Sequence, residues 1–318
     1  IDGIGGGNAV TTKVAMLSRS NLPGADIDYF FAQVSVEDGL VDFKPTCGNI
    51  LSGVASAAIE MGLHPISEGE TSVAIHAVNT GAEIIAKVQT PRGRISYAGK
   101  AAIDGVPGTA APVELNFMKV AGSSTGAFLP TGNLTDEIDG IPVTCIDVAM
   151  PMVIARAANF GLSGYETHDE LDKNKVFFQR MEALRIKAGA AMGMGDVRKS
   201  VTPKFGLIAP AKHGGSLTTR YFMPWKTHPT MAVTGSQCLA SCALTPGTVA
   251  DGLLERPIEI PAKITLEHPM GSMEVLVDYC LKDGAFEHFS GGFFRACRSL
   301  GDGPGYVPAE IWDGHTGR

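Results

Sequence analysis

The first hundred residues alternate between apolar and polar positions. Ile27–Val36, Ser72–His76, Ala82–Val88 and Arg94–Tyr97 are β-branched or alternately apolar, and they predict short strands. One stretch breaks the rhythm. Asn49–Leu63, NILSGVASAAIEMGL, is small or apolar nearly all round, with a single acid at Glu60. A helix apolar on every side is a buried helix. Val113–Val120, Pro142–Val148, Lys204–Ala209 and Leu217–Phe222 predict further strands. Glu170–Ala190, rich in Glu, Lys, Arg and Leu, predicts an amphipathic helix with one wet face. Thr234-Gly235-Ser236 then leads into QCLASCAL, a second all-apolar helix that ends at Pro246-Gly247. Gly105–Pro112, with Pro107 and Gly108, reads as a crossover between two halves. Each buried helix follows a small turn, Cys47-Gly48-Asn49 or Thr234-Gly235-Ser236. Two readings fit: a weak internal repeat of two sheets, each curved around one helix, or two unrelated buried helices.

Composition narrows the classes. The 318 residues suffice for two cores. With 39 Gly and 19 Pro the chain turns often, as short strands require. The net charge is −7 and no basic tract exists, which argues against nucleic acid. No apolar run is long enough to cross a membrane as a helix. Cys47, Cys145, Cys238, Cys242, Cys280 and Cys297 show no metal or disulfide spacing. They read as free thiols of a cytoplasmic protein, with Cys238 and Cys242 on one helix face.

Few residues stand out as chemistry. Cys47 precedes a helix, whose free N–H groups and partial positive charge favour a thiolate and bind carboxylates. A structural cysteine fits the same place. Lys13 is followed at once by apolar residues, so it either enters the core, where desolvation makes a lysine a base, or stays exposed. Arg220, Lys226 and His228 cluster in RYFMPWKTH, placed either to neutralise a carboxylate at Thr234-Gly235-Ser236 or to sit in a solvated loop. No HExxH or GxSxG motif is present, and Gly5-Gly6-Gly7 lacks the spacing of a phosphate loop.

IDGIGGGNAVTTKVAM, CGNILSGVASAAIE, DGVPGTAAPVELNF, AGSSTGAFLPTGN, IDGIPVTCIDVAMP, KAGAAMGMGDV and the TGS…PGTVADGL stretch together resemble the family of methylaconitate isomerases and 4-oxalomesaconate tautomerases. The likeness runs from Ile1 to about Gly252 and resumes over Arg295–Pro308. It implies an α+β fold similar to diaminopimelate epimerase: two pseudo-symmetric domains, each a curved, mainly antiparallel sheet wrapped around a central buried helix. The division implied is residues 1–112 plus a C-terminal segment from about 290 to 318, against residues 113–289. In the epimerases both helix turns begin with a catalytic cysteine. Here the second carries Thr234, which disfavours two-thiol epimerisation.

The resemblance implies Lys13 and Cys47 as the catalytic pair. It implies Gly48, Asn49, Thr234, Gly235 and Ser236 as substrate-carboxylate contacts, joined by Arg220 and His228. Family members usually carry a Gly-Gly-Thr-Ser-Lys motif that lines the site, and this sequence begins after it. The phrase VNTGAEIIAKVQTPRGRISYAGKAAIDGVPGTAAPV is most similar to the 4-oxalomesaconate tautomerases of gallate and lignin-derived aromatic catabolism. The expected activity is therefore an allylic proton shift on an unsaturated di- or tricarboxylate, with no metal or organic cofactor, in a homodimer. The alternatives are a 2-methylaconitate cis–trans isomerase of propionate catabolism and a non-catalytic polycarboxylate-binding protein.

Overall fold

The computed structural model describes residues 12–35, 39–43, 47–103, 107–223, 225–282, 284–312 and 314. The Gly5-Gly6-Gly7 run, Val36 and the Asp104–Val106 part of the expected crossover lie outside them. The architecture is α+β, as expected. Among the described residues fourteen strands form one sheet: β1 (Lys13–Arg19), β2 (Ile27–Ser35), β3 (Leu40–Asp42), β4 (Gly69–Ala77), β5 (Ala82–Thr90), β6 (Val113–Met118), β7 (Asp136–Ile138), β8 (Ile141–Asp147), β9 (Pro151–Arg156), β10 (Lys204–Pro210), β11 (Leu217–Phe222), β12 (Ala262–His268), β13 (Gly271–Lys282) and β14 (Ala285–Arg295). The strand order is β1-β2-β4-β5-β6-β14-β13-β12-β11-β10-β9-β8-β7, with β3 on β2. Pairing is antiparallel except at β2–β4, β9–β10 and β11–β12. β6 and β14 pair with each other, and they join the sheet's two halves.

Each half curves around its own buried helix. α1 (Gly48–Leu51) and α2 (Val54–Glu60) cover β1, β2, β4 and β5, closing a core of Ile27, Tyr29, Leu51, Val54, Ile75, Ile84, Leu115 and Phe293. The expected single helix over 49–63 is broken in two. Ser52 turns its hydroxyl back to the Asn49 carbonyl (2.6 Å) and across to the Ala296 carbonyl (3.3 Å), and Gly53 is a poor helix former.

In the second half α5 (Val233–Leu244) is buried at every position from Gly235 to Leu244. Its Gly, Ala, Ser and Cys side chains are small enough for strands to close around them. Arg256 donates to the Ala243 (3.1 Å) and Thr245 (3.2 Å) carbonyls, placing a cation at the helix's negative end. The opposite face of β8–β11 carries α3 (His168–Lys173) and α4 (Lys175–Ala191) over Phe177, Met181, Leu184, Phe205 and Phe222. Asn174, which caps α4 by accepting from the Phe177 N–H (3.0 Å), divides the helix expected over 170–190.

Arg94–Tyr97 is not a strand. Arg92 and Gly93 take positive φ (59° and 63°) and turn the chain off the sheet. β12, β13 and β14 were not expected. All six cysteines are free thiols, and no helix among the described residues is long and apolar enough to cross a membrane.

Candidate active site

Lys13 opens β1. Strand alternation puts it on the same face as Ala15 and Leu17, which pack into the first core, while Val14 and Met16 face out. That face looks onto the start of α1. Cys47 is the N-cap residue, with extended backbone and no side-chain cap bond. Its thiol is therefore free to meet Lys13, and Lys13 Nζ lies 3.4 Å from Cys47 Sγ. Two groups able to gain and lose protons are thus in direct contact across strand and helix. The Cys47 carbonyl is fixed separately, by the Leu51 N–H at 3.1 Å and the Tyr29 hydroxyl at 3.5 Å. Beyond the cap, the Gly48 and Asn49 N–H groups have no partner among the described residues, as a first helical turn leaves them.

The second half presents a similar end. α5 begins at Val233, so Thr234-Gly235-Ser236 is its first turn rather than a lead-in. The N-cap, Ala232, has no side chain to satisfy the turn, and the N–H groups of Val233, Thr234 and Gly235 are free among the described residues. Val233 packs into the first half's core together with Cys47 and Ile50. Both free helix ends therefore border one apolar cluster, with Lys13 and Cys47 at its edge.

The expected contact residues divide. Gly48, Asn49, Thr234 and Gly235 offer free donors. Ser236 does not: its N–H donates to the Ala232 carbonyl and its hydroxyl to the Val233 carbonyl, both at 2.8 Å. Arg220 also stands elsewhere. On β11, Leu217 and Tyr221 face α5, so Arg220 faces α4 with Phe222. Its guanidinium is bound to the Glu166 and Thr219 carbonyls, and burial pulls its pKa below the usual value. The cation expected at the second turn thus supports the far side of the sheet.

His228 is closer. Its ring meets the Tyr221 ring edge-on at 5.8 Å, its Nδ1 accepts from the Thr230 N–H at 3.0 Å, and burial holds its pKa below the ordinary value. Tyr221 links it to the turn, since a Cβ added at Gly235 would lie 2.4 Å from Tyr221 Cε2. The Tyr221 hydroxyl donates to Met150 Sδ at 3.4 Å, which fixes the ring. Tyr221 and Phe293 were not singled out from sequence. The alternation of β11 marks the first, while nothing local marks Phe293, whose ring tip lies 4.0 Å from a Cβ placed at Gly48. One cavity of about 370 Å³ lies beside Glu267 and His268, and another of about 300 Å³ lies beside Ala296 and Cys297, behind α1, where the Ser52 hydroxyl joins the Ala296 and Asn49 carbonyls.

A lysine and a thiol in contact at one helix end, a second helix end with free N–H groups bordering the same apolar cluster, and isomerases among the relatives place the chain in the isomerase class. The chain belongs to the PrpF family, whose model, described as PrpF protein, matches residues 1–308. The Escherichia coli (strain K12) protein YbhH is 47% identical over 308 residues, which cover 97% of this chain and 87% of that one. The (4E)-oxalomesaconate Delta-isomerase of Novosphingobium sp. (strain KA1) is 44% identical over 307 residues, covering 96% and 85%. Among solved structures, a methylitaconate-delta-isomerase superposes with a TM-score of 0.86 at 32% identity, covering 95% of this chain and 83% of that one.

Proposed function

We propose that this isomerase moves a proton, and with it a C=C bond, along an unsaturated polycarboxylate, with 4-oxalomesaconate as its substrate in aromatic-acid catabolism. The 3.4 Å contact between Lys13 and Cys47 carries the reading. The 44% identity to a protein named for oxalomesaconate isomerisation supports the choice of acid.

In the proposed cycle Lys13, in its amine form, takes the proton from the allylic carbon. The C–H electrons spread into the conjugated carbonyl system as a dienolate. The Cys47 thiol gives its proton to the far carbon of that system, and the double bond moves by one position. The proton gained by Lys13 then passes to the Cys47 thiolate along their contact, which restores both groups. Conjugation supplies the acidity of the carbon, so the step draws on no cofactor. The free N–H groups of Gly48, Asn49, Thr234 and Gly235 hold the carboxylates and the charge that develops on oxygen.

Proton NMR of the enzyme with 4-oxalomesaconate in deuterated water tests this. Loss of substrate signal with deuterium entering one carbon of a shifted-alkene or keto product supports the reading. Turnover of 2-methylaconitate alone keeps the chemistry and changes the substrate. Binding of either acid without exchange makes the protein a polycarboxylate carrier and defeats the proposal.

A further inference from the structure

Lys204 opens β10. Phe205 and Leu207 on that strand pack into the core under α4, while Ile208 packs into the core under α5. Alternation therefore sets Lys204 on the α5 face. Two residues along the same face, a Cβ at Gly206 would lie 3.2 Å from Leu239 of α5, and Tyr221, which pairs with Gly206, abuts Gly235 in the first turn of α5. Phe205 pairs with Phe222, so Lys204 lies beside the chain that leaves β11 and returns as Thr227 and His228. There the His228 N–H donates to the Tyr221 carbonyl at 2.8 Å, and the Tyr221 ring abuts Gly235. The Lys204 charge is near enough to bear on His228, and partial burial lowers its own pKa, with Arg185 adding repulsion.

The ammonium of Lys204 has no hydrogen bond or ion pair among the described residues. Lys87, Lys119 and Lys263 are paired, with Glu114 at 3.0 Å, Glu83 at 2.9 Å and Glu274 at 2.6 Å, while lysines that lack an ion pair among the described residues, such as Lys173, Lys175 and Lys226, are exposed and Lys204 is not. Holding a partly buried cation without a counter-ion is unfavourable unless something else supplies the anion. A chain of net charge −7 that binds a polyanion also needs a local cation. Arg220, the cation expected from sequence, faces the other way.

We propose that Lys204, beside His228, binds a carboxylate of the substrate at the α5 end of the site, across from Lys13 and Cys47. The inference rests on the polycarboxylate reading above. Its ligand is a carboxylate remote from the carbons that exchange protons, so the effect falls on binding rather than on turnover.

The test uses Lys204→Met, Lys204→Gln and Lys204→Arg in the full chain, each checked for folding by its melting curve. Steady-state turnover of 4-oxalomesaconate is measured alongside calorimetric binding of the saturated acid tricarballylate, which cannot isomerise. Met and Gln should raise KM and weaken tricarballylate about ten- to hundredfold, with kcat little changed, and Arg should restore most of the loss. Wild-type KM or tricarballylate affinity in a folded Met or Gln variant overturns the inference, as does a fall in kcat at unchanged KM. If the wild-type chain binds tricarballylate through Lys204 yet isomerises no acid, the functional reading fails and this inference stands. If the wild-type chain does not bind tricarballylate, the inference fails.

Discussion

Gly235→Ala isolates the packing that holds the second helix end in place. The new methyl would lie 2.4 Å from Tyr221 Cε2 and 3.0 Å from both Cδ2 and Cζ. Tyr221 cannot step aside easily, because it is 1% exposed, its hydroxyl is on Met150 and its ring is against His228. Helix propensity favours alanine by about 1 kcal/mol. Overpacking a closed core costs about 1–3 kcal/mol, so the net change is at most about 2 kcal/mol of destabilisation. The larger effect is positional: the first turn of α5 must move away from β11, and its free N–H groups move with it. Misplacement of about 1 Å is expected to lower kcat/KM by about a hundredfold. Gly48→Ala is the matched control, because its methyl meets Phe293 Cζ at an ordinary 4.0 Å. Urea unfolding followed by fluorescence gives the stability term, and ultraviolet turnover assays give kcat/KM. Wild-type stability and turnover in Gly235→Ala would refute the account of the second turn.

Other outcomes follow from the same geometry. Lys13→Met should lower kcat by about 10²- to 10⁴-fold without unfolding the chain, and its full turnover would remove Lys13 from the mechanism. The Glu267 carboxylate accepts from the Lys212, His213 and Gly215 N–H groups and from the Thr218 hydroxyl, at 2.6–2.9 Å. Although burial opposes ionisation, these donors hold its pKa at about 2, against an ordinary 4.5. Its stabilisation, about 3 kcal/mol, is thus present above pH 4.5 and lost as pH falls towards 2. Glu267→Gln should lose this amount near neutrality and flatten the acid limb of a stability-against-pH curve. Burial pushes the His288 imidazole down to about 4, and neither ring nitrogen has a hydrogen-bond partner among the described residues. The unfolded chain takes up that proton first, so His288 erodes stability as pH falls from 6.5 towards 4. In His288→Phe, urea midpoints across that window should fall less than in the wild type.

Local pattern carried a good part of this protein. The buried helical segments after Cys47 and around Thr234–Leu244 and the strands at Lys204–Pro210 and Leu217–Phe222 follow from residue periodicity and size, although the first segment is broken at Ser52-Gly53 and Thr234-Gly235-Ser236 lies inside its helix. The likeness that singled out Lys13 and Cys47 also resides in contiguous motifs. β13 carries the same local signal, since Val275, Val277 and Tyr279 alternate inward along it.

Tertiary structure decided the rest. That Lys13 touches Cys47 depends on β1 lying under the first turn of α1, 34 residues away in sequence. The face a cation occupies on a strand depends on which side each helix packs. Arg220 and His228 therefore part company although they are eight residues apart, and Lys204, ordinary in sequence, comes to stand on the α5 face of its strand. A side chain's neighbours across a sheet come from remote segments, so no local reading of the chain contains them.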